Sequence, residues 1–444
     1  MNTTFPSHRP PADERRFCSE AVEHKLIEVK AAISDPELAW LFSNCFPNTL
    51  DTTVLKGKNA GGETDTCIIT GDIHAMWLRD STNQIWPYLP LAAEDPELQD
   101  MLEGLIRRQA DCVRTDPYAN AFLPDLDAPP HWASDFTEMR AGVHERKFEV
   151  DSLCAFLRLS AGFYAVCPET KVFDERWMEA IQLVIQTFRA EQGVEESPYS
   201  FAREFDRPTE SLQDGKGFPV KACGMVKSYF RPSDDATTFH FLVPANAMAV
   251  VNLRAVAAMP QAADVAGDLL LLAEEIDAGI QSQGKVKHAE FGEIYAYEVD
   301  GFGSSWVMDD ANIPSLLGLP YLGYCKIEDP LYQNTRRLLW SENNPYFARG
   351  KAGEGIGGPH VGPDWIWPMS IMVKALTTDD DDEIVACLRQ LLNTHAETGF
   401  MHEAFQKDDA YRFSRKWFSW ANSLFGEVII KLYHEKPQLL KQRF

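Results

Sequence analysis

Apolar residues recur at helical spacing along most of the chain, and this periodicity constrains the fold more than any other feature. Phe173, Trp177, Ile181, Val184 and Phe188 fall at i, i+4, i+8, i+11 and i+15, so they form one apolar stripe on a helix. Similar stripes occur in residues 153–157, 265–280, 384–391 and 424–432. Alternation typical of strands is confined to short stretches near residues 67–70 and 294–299. The sequence therefore predicts an all-α protein.

The segments between these stretches are long loops rich in Gly, Pro, Trp and Asp. They span residues 70–90, 128–144, 211–235, 300–319 and 350–368. Such loops usually carry a binding or catalytic site. The acidic run 379–383 is interpreted instead as a solvated helix N-terminus. Because no linker divides the chain, we expect a single helical domain over residues 1–444, with residues 1–20 as a flexible N-terminal extension.

The net charge and the cysteine pattern limit the possible binding partners and the cellular compartment of the protein. The chain has 42 Lys+Arg against 66 Asp+Glu, a net charge of −24, which disfavours a nucleic-acid partner. There is no signal-peptide h-region and no apolar window long enough for a membrane span. The nine cysteines contain no CxxC pair, which favours reduced thiols. We expect a cytoplasmic protein without membrane contact, although a chain whose leader had been removed would look the same.

Several common chemistries lack their signatures in this sequence. There is no GxxxxGK[ST] loop for phosphate, no HExxH for zinc and no GxSxG elbow. The histidines, His131, His360 and His402 among them, are isolated and show no metal-ligand spacing. The sequence therefore predicts neither a metal ion nor a cofactor.

Carboxylates and aromatic residues occur together in the loops, at residues 77–80, 231–235, 306–310, 364–367 and 402–403. Sugar rings present apolar C–H faces and hydroxyl groups, so sugar sites combine aromatic platforms with side chains that donate and accept hydrogen bonds. Hydrolysis of a glycosidic bond also needs two carboxyl groups, one protonated and one ionised. This composition favours a carbohydrate-active enzyme.

The adjacent Asp234 and Asp235 are the candidates for the general acid. Their proximity in a partly buried loop would raise the pKa of one of them, as a general acid requires near neutral pH. The sequence does not decide between the two, because one side chain could instead cap a helix beginning at Ala236. The pair Asp309–Asp310 has the same local pattern before Ala311, so it too is a suitable N-cap at a predicted helix start.

Glu403 is the candidate base, since it follows an apolar helix in a loop with no other acid before Asp408. A solvated surface glutamate is the alternative interpretation. Asp80 is assigned to substrate binding, because the neighbouring Arg79 would keep its carboxylate ionised. A structural turn is the alternative for the glycine-rich segment around His360. The complete set of candidate substrate-binding residues is Trp77, Arg79, Asp80, Arg231, Asp309, Asn312, His360, Trp365 and His402.

With these residues in view, the chain resembles glycoside hydrolase family 125, the exo-acting α-1,6-mannosidases. The matching blocks run from near residue 70 to near residue 430, and their number and order make the resemblance specific. They are GDIHAMWLRDSTNQIWPY from Gly71, KFEVDSL from Lys147, FRPSDDATTFHFLVPANAMA from Phe230, MDDANIPSLLGLPYLGY from Met308, GPHVGPDWIWPMSI from Gly358, and TGFMHEAF followed by RKWFSWANSLFGE from Arg415.

The resemblance implies an (α/α)6 toroid with the pocket at the end where the long loops gather. It also implies metal-independent release of a terminal, non-reducing α-1,6-linked mannose with inversion, from an α-mannoside oligosaccharide or an N-glycan-derived substrate. In the family the acid is an Asp that falls within residues 231–235 here, and the base corresponds to Glu403. Two departures are modest: His74 stands where Pro is common, and Asp364 replaces a frequent Asn. Inversion requires the two carboxyl groups to lie roughly 6.5–9.5 Å apart.

Other functions remain open at this point. A second (α/α)6 enzyme, such as a glucosidase or a polysaccharide lyase, would share the fold, although a lyase acting on acidic sugars suits an acidic chain poorly. A glycan-binding toroid without activity would keep the aromatic residues but could lose the carboxylates. A calcium-dependent mannosidase is a further alternative, which would need a bound metal ion for activity. The sequence does not indicate the oligomeric state.

Overall fold

The computed structural model describes residues 5–204 and 208–444, and the described part of the chain is mainly helical. Its helices are α1 (Glu20–Ala32), α2 (Pro36–Cys45), α3 (Asn48–Thr52), α4 (Leu78–Ile85), α5 (Pro96–Thr115), α6 (Val150–Val166), α7 (Glu175–Ala190), α8 (Val243–Ala257), α9 (Ala266–Gln283), α10 (Pro330–Leu339), α11 (Pro368–Leu376), α12 (Asp381–Thr394) and α13 (Ser419–Glu435). Short 3₁₀ segments connect some of them, the longest being Trp86–Glu94.

The strands are short and form small sheets of two or three strands. They are β1 (Val54–Lys58), β2 (Thr64–Ile68), β3 (Met76–Trp77), β4 (Ala121–Phe122), β5 (Val143–Glu145), β6 (Phe241–Leu242), β7 (Lys285–His288), β8 (Gly292–Tyr295), β9 (Glu298–Val299), β10 (Ser305–Trp306), β11 (Phe347–Arg349), β12 (Glu354–Ile356), β13 (Trp365–Ile366), β14 (Ala404–Gln406) and β15 (Asp409–Ser414). The two predicted strand regions overlap β2 and β8–β9, but the sequence underestimates how many short strands the loops contain.

The predicted apolar stripes become the buried faces of helices. On α7, Trp177, Ile181, Val184 and Phe188 are buried, and Asp174 caps the helix by accepting from the first-turn amides. The acidic run 379–383 forms the N-terminus of α12, as predicted: Asp380 is the N-cap and accepts from the backbone amides of residues 382 and 383. The remaining stripes lie on α6, α9, α12 and α13.

The helices pack as an inner ring inside an outer ring. Along the inner ring α4 contacts α6, α6 contacts α8, and α13 contacts both α4 and α11. On the outside α5 packs against α6 and α7, α9 against α8, and α12 against α11. This arrangement confirms the expected (α/α)6 toroid.

One position of the inner ring is occupied by turns rather than by a helix. Residues 311–323 lie between α8 and α11 in the chain, and Tyr321 in this segment accepts from Arg158 on α6 and donates to Glu427 on α13. Pro314 and Pro320 cannot donate backbone hydrogen bonds, so a regular helix cannot run through the segment. The predicted helix start after Asp309–Asp310 is therefore wrong.

The predicted helix start at Ala236 is also wrong. Helix α8 begins at Val243, with Pro244 in its first turn, and Leu242 is its N-cap residue. Asp234 has a φ of 65°, in the left-handed region, whereas an N-cap residue has an extended backbone. Asp234 and Asp235 therefore do not cap a helix.

The N-terminal segment lies against the first helices. The Arg9 guanidinium is paired with Asp51 and Glu23, Phe17 is buried, and the indole N–H of Trp40 donates to the backbone carbonyl of Pro6. Residues 1–4 lie outside the described residues, and the predicted flexibility of residues 1–20 stays a prediction. Within the described residues no single helix is long and apolar enough to cross a membrane; α8 and Pro260–Gln283 meet the length and composition criteria only as a pair, bent by 112°.

Candidate active site

A cavity of about 300 Å³ opens at the end of the toroid where the inner helices begin. Arg79 and Asp80 in the first turn of α4 and Trp420 in the first turn of α13 line it. Asp234 and Glu403, from two loops far apart in the sequence, line the same cavity. The ends of the inner helices therefore bring the candidate acid and base to one pocket.

The Arg79 guanidinium is buried among carboxylates in the wall of this cavity. Its Nη1 donates to Glu149 and, at 3.1 Å, to Asp151 Oδ2. Its Nε lies 3.4 Å from Asp80 Oδ2, and its Nη2 lies 3.7 Å from Asp234 Oδ1. A single guanidinium thus contacts four carboxyl groups, so Arg79 organises the acidic side of the cavity.

Asp234 is held in place by two further donors. The indole N–H of Trp77 and the amide Nδ2 of Asn120 reach its Oδ1 at 3.3 and 3.2 Å, and its side chain is 25% exposed. Burial raises the pKa of Asp234, but Arg79, Lys147 and a hydrogen bond with Glu149 outweigh burial and lower it to about 2. Asp234 is therefore ionised in the unliganded protein.

The proton that Asp234 lacks is held by its neighbour. Glu149, the residue immediately before α6, is fully buried, and burial together with Asp234 raises its pKa well above the usual value although Arg79 opposes this. Glu149 shares a hydrogen bond with Asp234, and Asn120 Nδ2 lies 3.3 Å from its Oε1. Two adjacent buried carboxyl groups titrate as a pair. Burial and the charge of Asp234 therefore favour a proton on Glu149 over a proton on Asp234.

Asp235 lies behind the cavity wall. It is 1% exposed, and the hydroxyl of Ser233 lies 3.1 Å from its Oδ2 and 2.7 Å from Asp310 Oδ2. Burial raises the pKa of Asp235 to about 6, with Asp310 contributing and His360, at 4.0 Å, opposing. One member of the pair, Asp235, does have a raised pKa, but burial is the main cause, and the like charge that adds to it is Asp310 rather than Asp234.

Glu403 precedes β14, and its carboxylate is oriented by two donors. Ser414 Oγ donates to Oε2 at 2.9 Å, and Arg415 Nη1 donates to Oε1 at 3.3 Å. The same guanidinium donates to Asp72, which ties the end of β15 to the loop before β3. Glu403 is buried except where it faces the cavity, so the alternative of a solvated surface glutamate is wrong.

The structure brings together one group of the predicted site residues. Trp77, Arg79, Asp80, Asn312 and His360 line the cavity beside Asp234 and Glu403. Arg79 does not keep Asp80 ionised as strongly as expected, because its guanidinium is shared with other carboxylates. Burial therefore raises the pKa of Asp80 to about 6 in spite of Arg79.

Arg231 and Asp309 lie outside this cavity. The Arg231 guanidinium donates to the buried Glu298 at 2.6 Å, which holds the 231–235 loop against β9. Asp309 is fully buried and accepts from the backbone amides of Leu316 and Leu317 at 2.9 Å, so it stabilises the turn segment. Neither residue lines this cavity, and their assignment to substrate binding stays a prediction.

Trp365 and His402 also lie away from the cavity lining. His402 stacks on Phe413 with ring centroids 3.7 Å apart, and burial lowers its pKa to about 4. Trp365 is on β13, next to Asp364, which has a φ of 68° and pairs with Lys407. Asp and Asn tolerate this left-handed backbone better than most residues, so an Asp at position 364 is compatible with the local conformation. Direct substrate contact by Trp365 or His402 is not supported by this placement.

Several residues of the site are not among those predicted from the sequence. Lys147, Glu149 and Asp151 come from the block KFEVDSL, where two acids at a helix start were the available signal. The aromatic wall is formed by Trp132, Trp367, Phe418 and Trp420 in addition to Trp77. Within the described residues no group of three or more His, Cys, Asp or Glu is arranged to hold a metal ion.

Comparison with known proteins gives a consistent result. The profile of the family described as metal-independent alpha-mannosidase (GH125) matches residues 35–430. The Meiotically up-regulated gene 157 protein of Schizosaccharomyces pombe (strain 972 / ATCC 24843) is 45% identical over 460 residues, covering 99% of this chain and 90% of that protein.

Two solved structures have folds similar to that of this chain. A Streptococcus pneumoniae protein from a study of metal-independent alpha mannosidases, in a non-productive substrate complex with alpha-1,6-mannobiose, matches with a TM-score of 0.90 at 40% identity, covering 95% of this chain and 100% of that chain. A bacterial glucoamylase complexed with acarbose matches with a TM-score of 0.54 at 11% identity, covering 90% of this chain and 57% of that chain, which is a likeness of fold alone.

Proposed function

Since the chain belongs to glycoside hydrolase family 125, the metal-independent α-mannosidases, we propose that it releases terminal α-1,6-linked mannose from the non-reducing end of a mannoside, with inversion. The observation that carries the proposal is that Asp234 and Glu403 line one cavity, of a size suited to a single sugar, among indole rings and hydrogen-bonding groups. The α-1,6 linkage is supported by the similarity to the Streptococcus pneumoniae protein bound to alpha-1,6-mannobiose.

In this proposal Asp234 is the general acid and protonates the leaving oxygen. Asp234 faces the cavity, whereas Asp235 faces Ser233 and Asp310 behind the wall. The proton comes from the Glu149–Asp234 pair: it moves along their hydrogen bond to Asp234 as the glycosidic oxygen begins to accept it. Arg79, which contacts both groups, then stabilises the two carboxylates, Glu149 and Asp234, that remain after the transfer.

Glu403 is the general base in this proposal. Ser414 and Arg415 fix the orientation of its carboxylate, and the carboxylate takes a proton from the water that attacks C1. As C1 gains positive charge, the ionised groups around it, Asp80 among them, stabilise the transition state electrostatically. Apolar faces of Trp77 and Trp420 pack against the sugar ring.

The stereochemistry of the first product tests the inversion. Proton NMR during the first minutes of α-1,6-mannobiose hydrolysis should show β-mannose before mutarotation mixes the anomers, whereas initial α-mannose would contradict a single-displacement mechanism.

The two aspartates are distinguished by their amide variants. Asp234→Asn should lower kcat on α-1,6-mannobiose by about 10²–10⁴-fold, while an activated aryl α-mannoside, whose leaving group needs no proton, should be hydrolysed with a much smaller loss. Asp235→Asn serves as the matched control and should show no such dependence on the leaving group. If Asp235→Asn shows it and Asp234→Asn does not, the assignment of the acid is wrong.

A further inference from the structure

A second cavity of about 280 Å³ lies directly beside the candidate active site. Three chain segments form the wall between them, and neighbouring residues of each segment face opposite sides. Thr209, Arg231 and Pro359 line the second cavity, whereas Glu210, Pro232 and His360 line the first. The two cavities are therefore separated by a wall about one residue thick, at the same end of the toroid.

The lining of the second cavity combines aromatic faces with hydroxyl and amide groups. Trp306 is 41% exposed and Phe218 is 52% exposed, and Tyr346 lies between the cavity and the core. Thr238 and Gln213 add polar groups that donate and accept hydrogen bonds. Exposed aromatic rings beside such groups match the apolar face and hydroxyl groups of a pyranose.

The described lining of the second cavity carries no uncompensated charge. Among its described lining residues the charged one is Arg231, and Glu298 compensates it at 2.6 Å. Among the described lining residues a phosphate, a carboxylate or an ammonium group would find no unpaired opposite charge, and the net charge of −24 on the chain further disfavours an anion. A neutral ligand is therefore favoured over an ionic one.

The aromatic platform is rigidly supported. Trp306 is on β10, which pairs with β9, and β9 pairs in turn with β6. Glu298 on β9 accepts from Arg231 and from the backbone amides of Thr238 and Phe239, at 2.6 to 3.0 Å. The indole ring of Trp306 therefore lies on a small sheet that is also hydrogen-bonded to the 231–235 loop carrying Asp234. Because this support is rigid, a ligand that binds the indole loses less conformational entropy than it would on a flexible loop.

We propose that the second cavity is a subsite for a further neutral hexose of the same glycan whose terminal mannose occupies the candidate active site. This inference rests on the proposed function. The two cavities have nearly equal volumes, about 300 and 280 Å³, each at the small end of the range for ligand sites and suited to one sugar ring. A 1,6 linkage adds a rotatable bond between rings, which lets a neighbouring branch pass over the thin wall.

The experiment compares a short and a long substrate. The kcat/KM values for α-1,6-mannobiose and for a branched α-mannopentaose are measured for the wild type and for the double variant Trp306→Ala/Phe218→Ala. The ratio of long to short substrate should fall about tenfold in the double variant, because stacking on two aromatic faces is lost. Tyr411→Ala is the matched control: Tyr411 is a 64% exposed aromatic residue on β15 that lines neither cavity.

A binding measurement separates this inference from the proposed function. Calorimetry in the Glu403→Gln background, with and without Trp306→Ala/Phe218→Ala, gives affinities for mannobiose and mannopentaose without turnover. Loss of affinity for the pentaose alone supports the subsite even if the wild type releases no mannose, a result that would defeat only the proposed hydrolysis. Equal effects of the double variant on both ligands, or no effect on either, would overturn the subsite.

Discussion

The replacement Glu149→Gln tests how the acid obtains its proton. Glutamine has nearly the shape of a protonated glutamic acid, so it can fill the same buried space and still accept from Arg79. It cannot supply a proton to Asp234. In the variant Asp234 must therefore take its proton from solvent, although Arg79 and Lys147 still keep the pKa of Asp234 low.

The size of the effect follows from that pKa. With a pKa of about 2, Asp234 is protonated in only a very small fraction of the molecules at pH 6. General acid catalysis is typically worth about 10²–10⁴-fold. We therefore expect kcat on α-1,6-mannobiose to fall by about 10²–10⁴-fold at pH 6. Because the protonated fraction rises as pH falls, the variant should gain about tenfold for each unit of acidification while it stays folded.

The assay is mannose release between pH 4 and 7, followed by chromatography, with a thermal melt at each pH to confirm folding. An aryl α-mannoside with a dinitrophenolate leaving group should be hydrolysed with a loss under about tenfold, because this group departs unprotonated. Asp151→Asn is the matched control: it removes another buried carboxylate from Arg79 Nη1, and its rate loss should not depend on the leaving group. A Glu149→Gln enzyme with wild-type kcat and pH profile on mannobiose would refute the shared-proton mechanism.

Three further outcomes follow from the structure. Glu403→Gln should lower kcat by more than about 10³-fold on both mannobiose and the aryl mannoside, since water activation is needed for either; added azide should restore turnover and give a β-mannosyl azide detectable by NMR. Asp80→Asn should raise the free energy of unfolding at pH 7 by up to about 3 kcal/mol, because burial raises the carboxyl pKa to about 6 and the ionised form is destabilised above that pH. That gain should vanish in denaturant titrations below about pH 4, where the carboxyl is protonated in both states. Asp309→Ala leaves the backbone amides of Leu316 and Leu317 unpaired, so the free energy of unfolding in the same titration should fall by about 1–3 kcal/mol for each amide. The KM of the variant should stay within about twofold of the wild-type value.

The ring of helices could be predicted from the sequence because each helix repeats its apolar residues at a fixed spacing. The stripe through Trp177 and Phe188 became the buried face of α7 for this reason. The turn segment at residues 311–323 could not be predicted as a member of the inner ring, because it has no period of its own. Its place is set by long-range contacts such as that of Tyr321 with Glu427.

The sequence indicates which chemical groups form the site, but it does not indicate which side chains face the cavity. The carboxyl groups and indole rings of the loops were visible in the sequence, and Asp234 and Glu403 do line one cavity. Which aspartate faces that cavity depends on the left-handed backbone at Asp234, which local patterns do not reveal. The partners of Arg79 could not be identified either, since Glu149 is 70 positions away in the chain.

The acidic side of the cavity explains why a proton is available there at all. Asp80, Glu149, Asp151 and Asp234 surround one guanidinium, and burial raises the pKa of each of the first three. Four ionised carboxylates around one cation would leave uncompensated charge in a region of low dielectric, so protonation relieves the excess. The low pKa of Asp234 does not argue against its role as the acid, since the surplus of carboxylates keeps a proton one hydrogen bond away. A site with fewer buried acids would be more stable and would have no proton to give to the leaving oxygen.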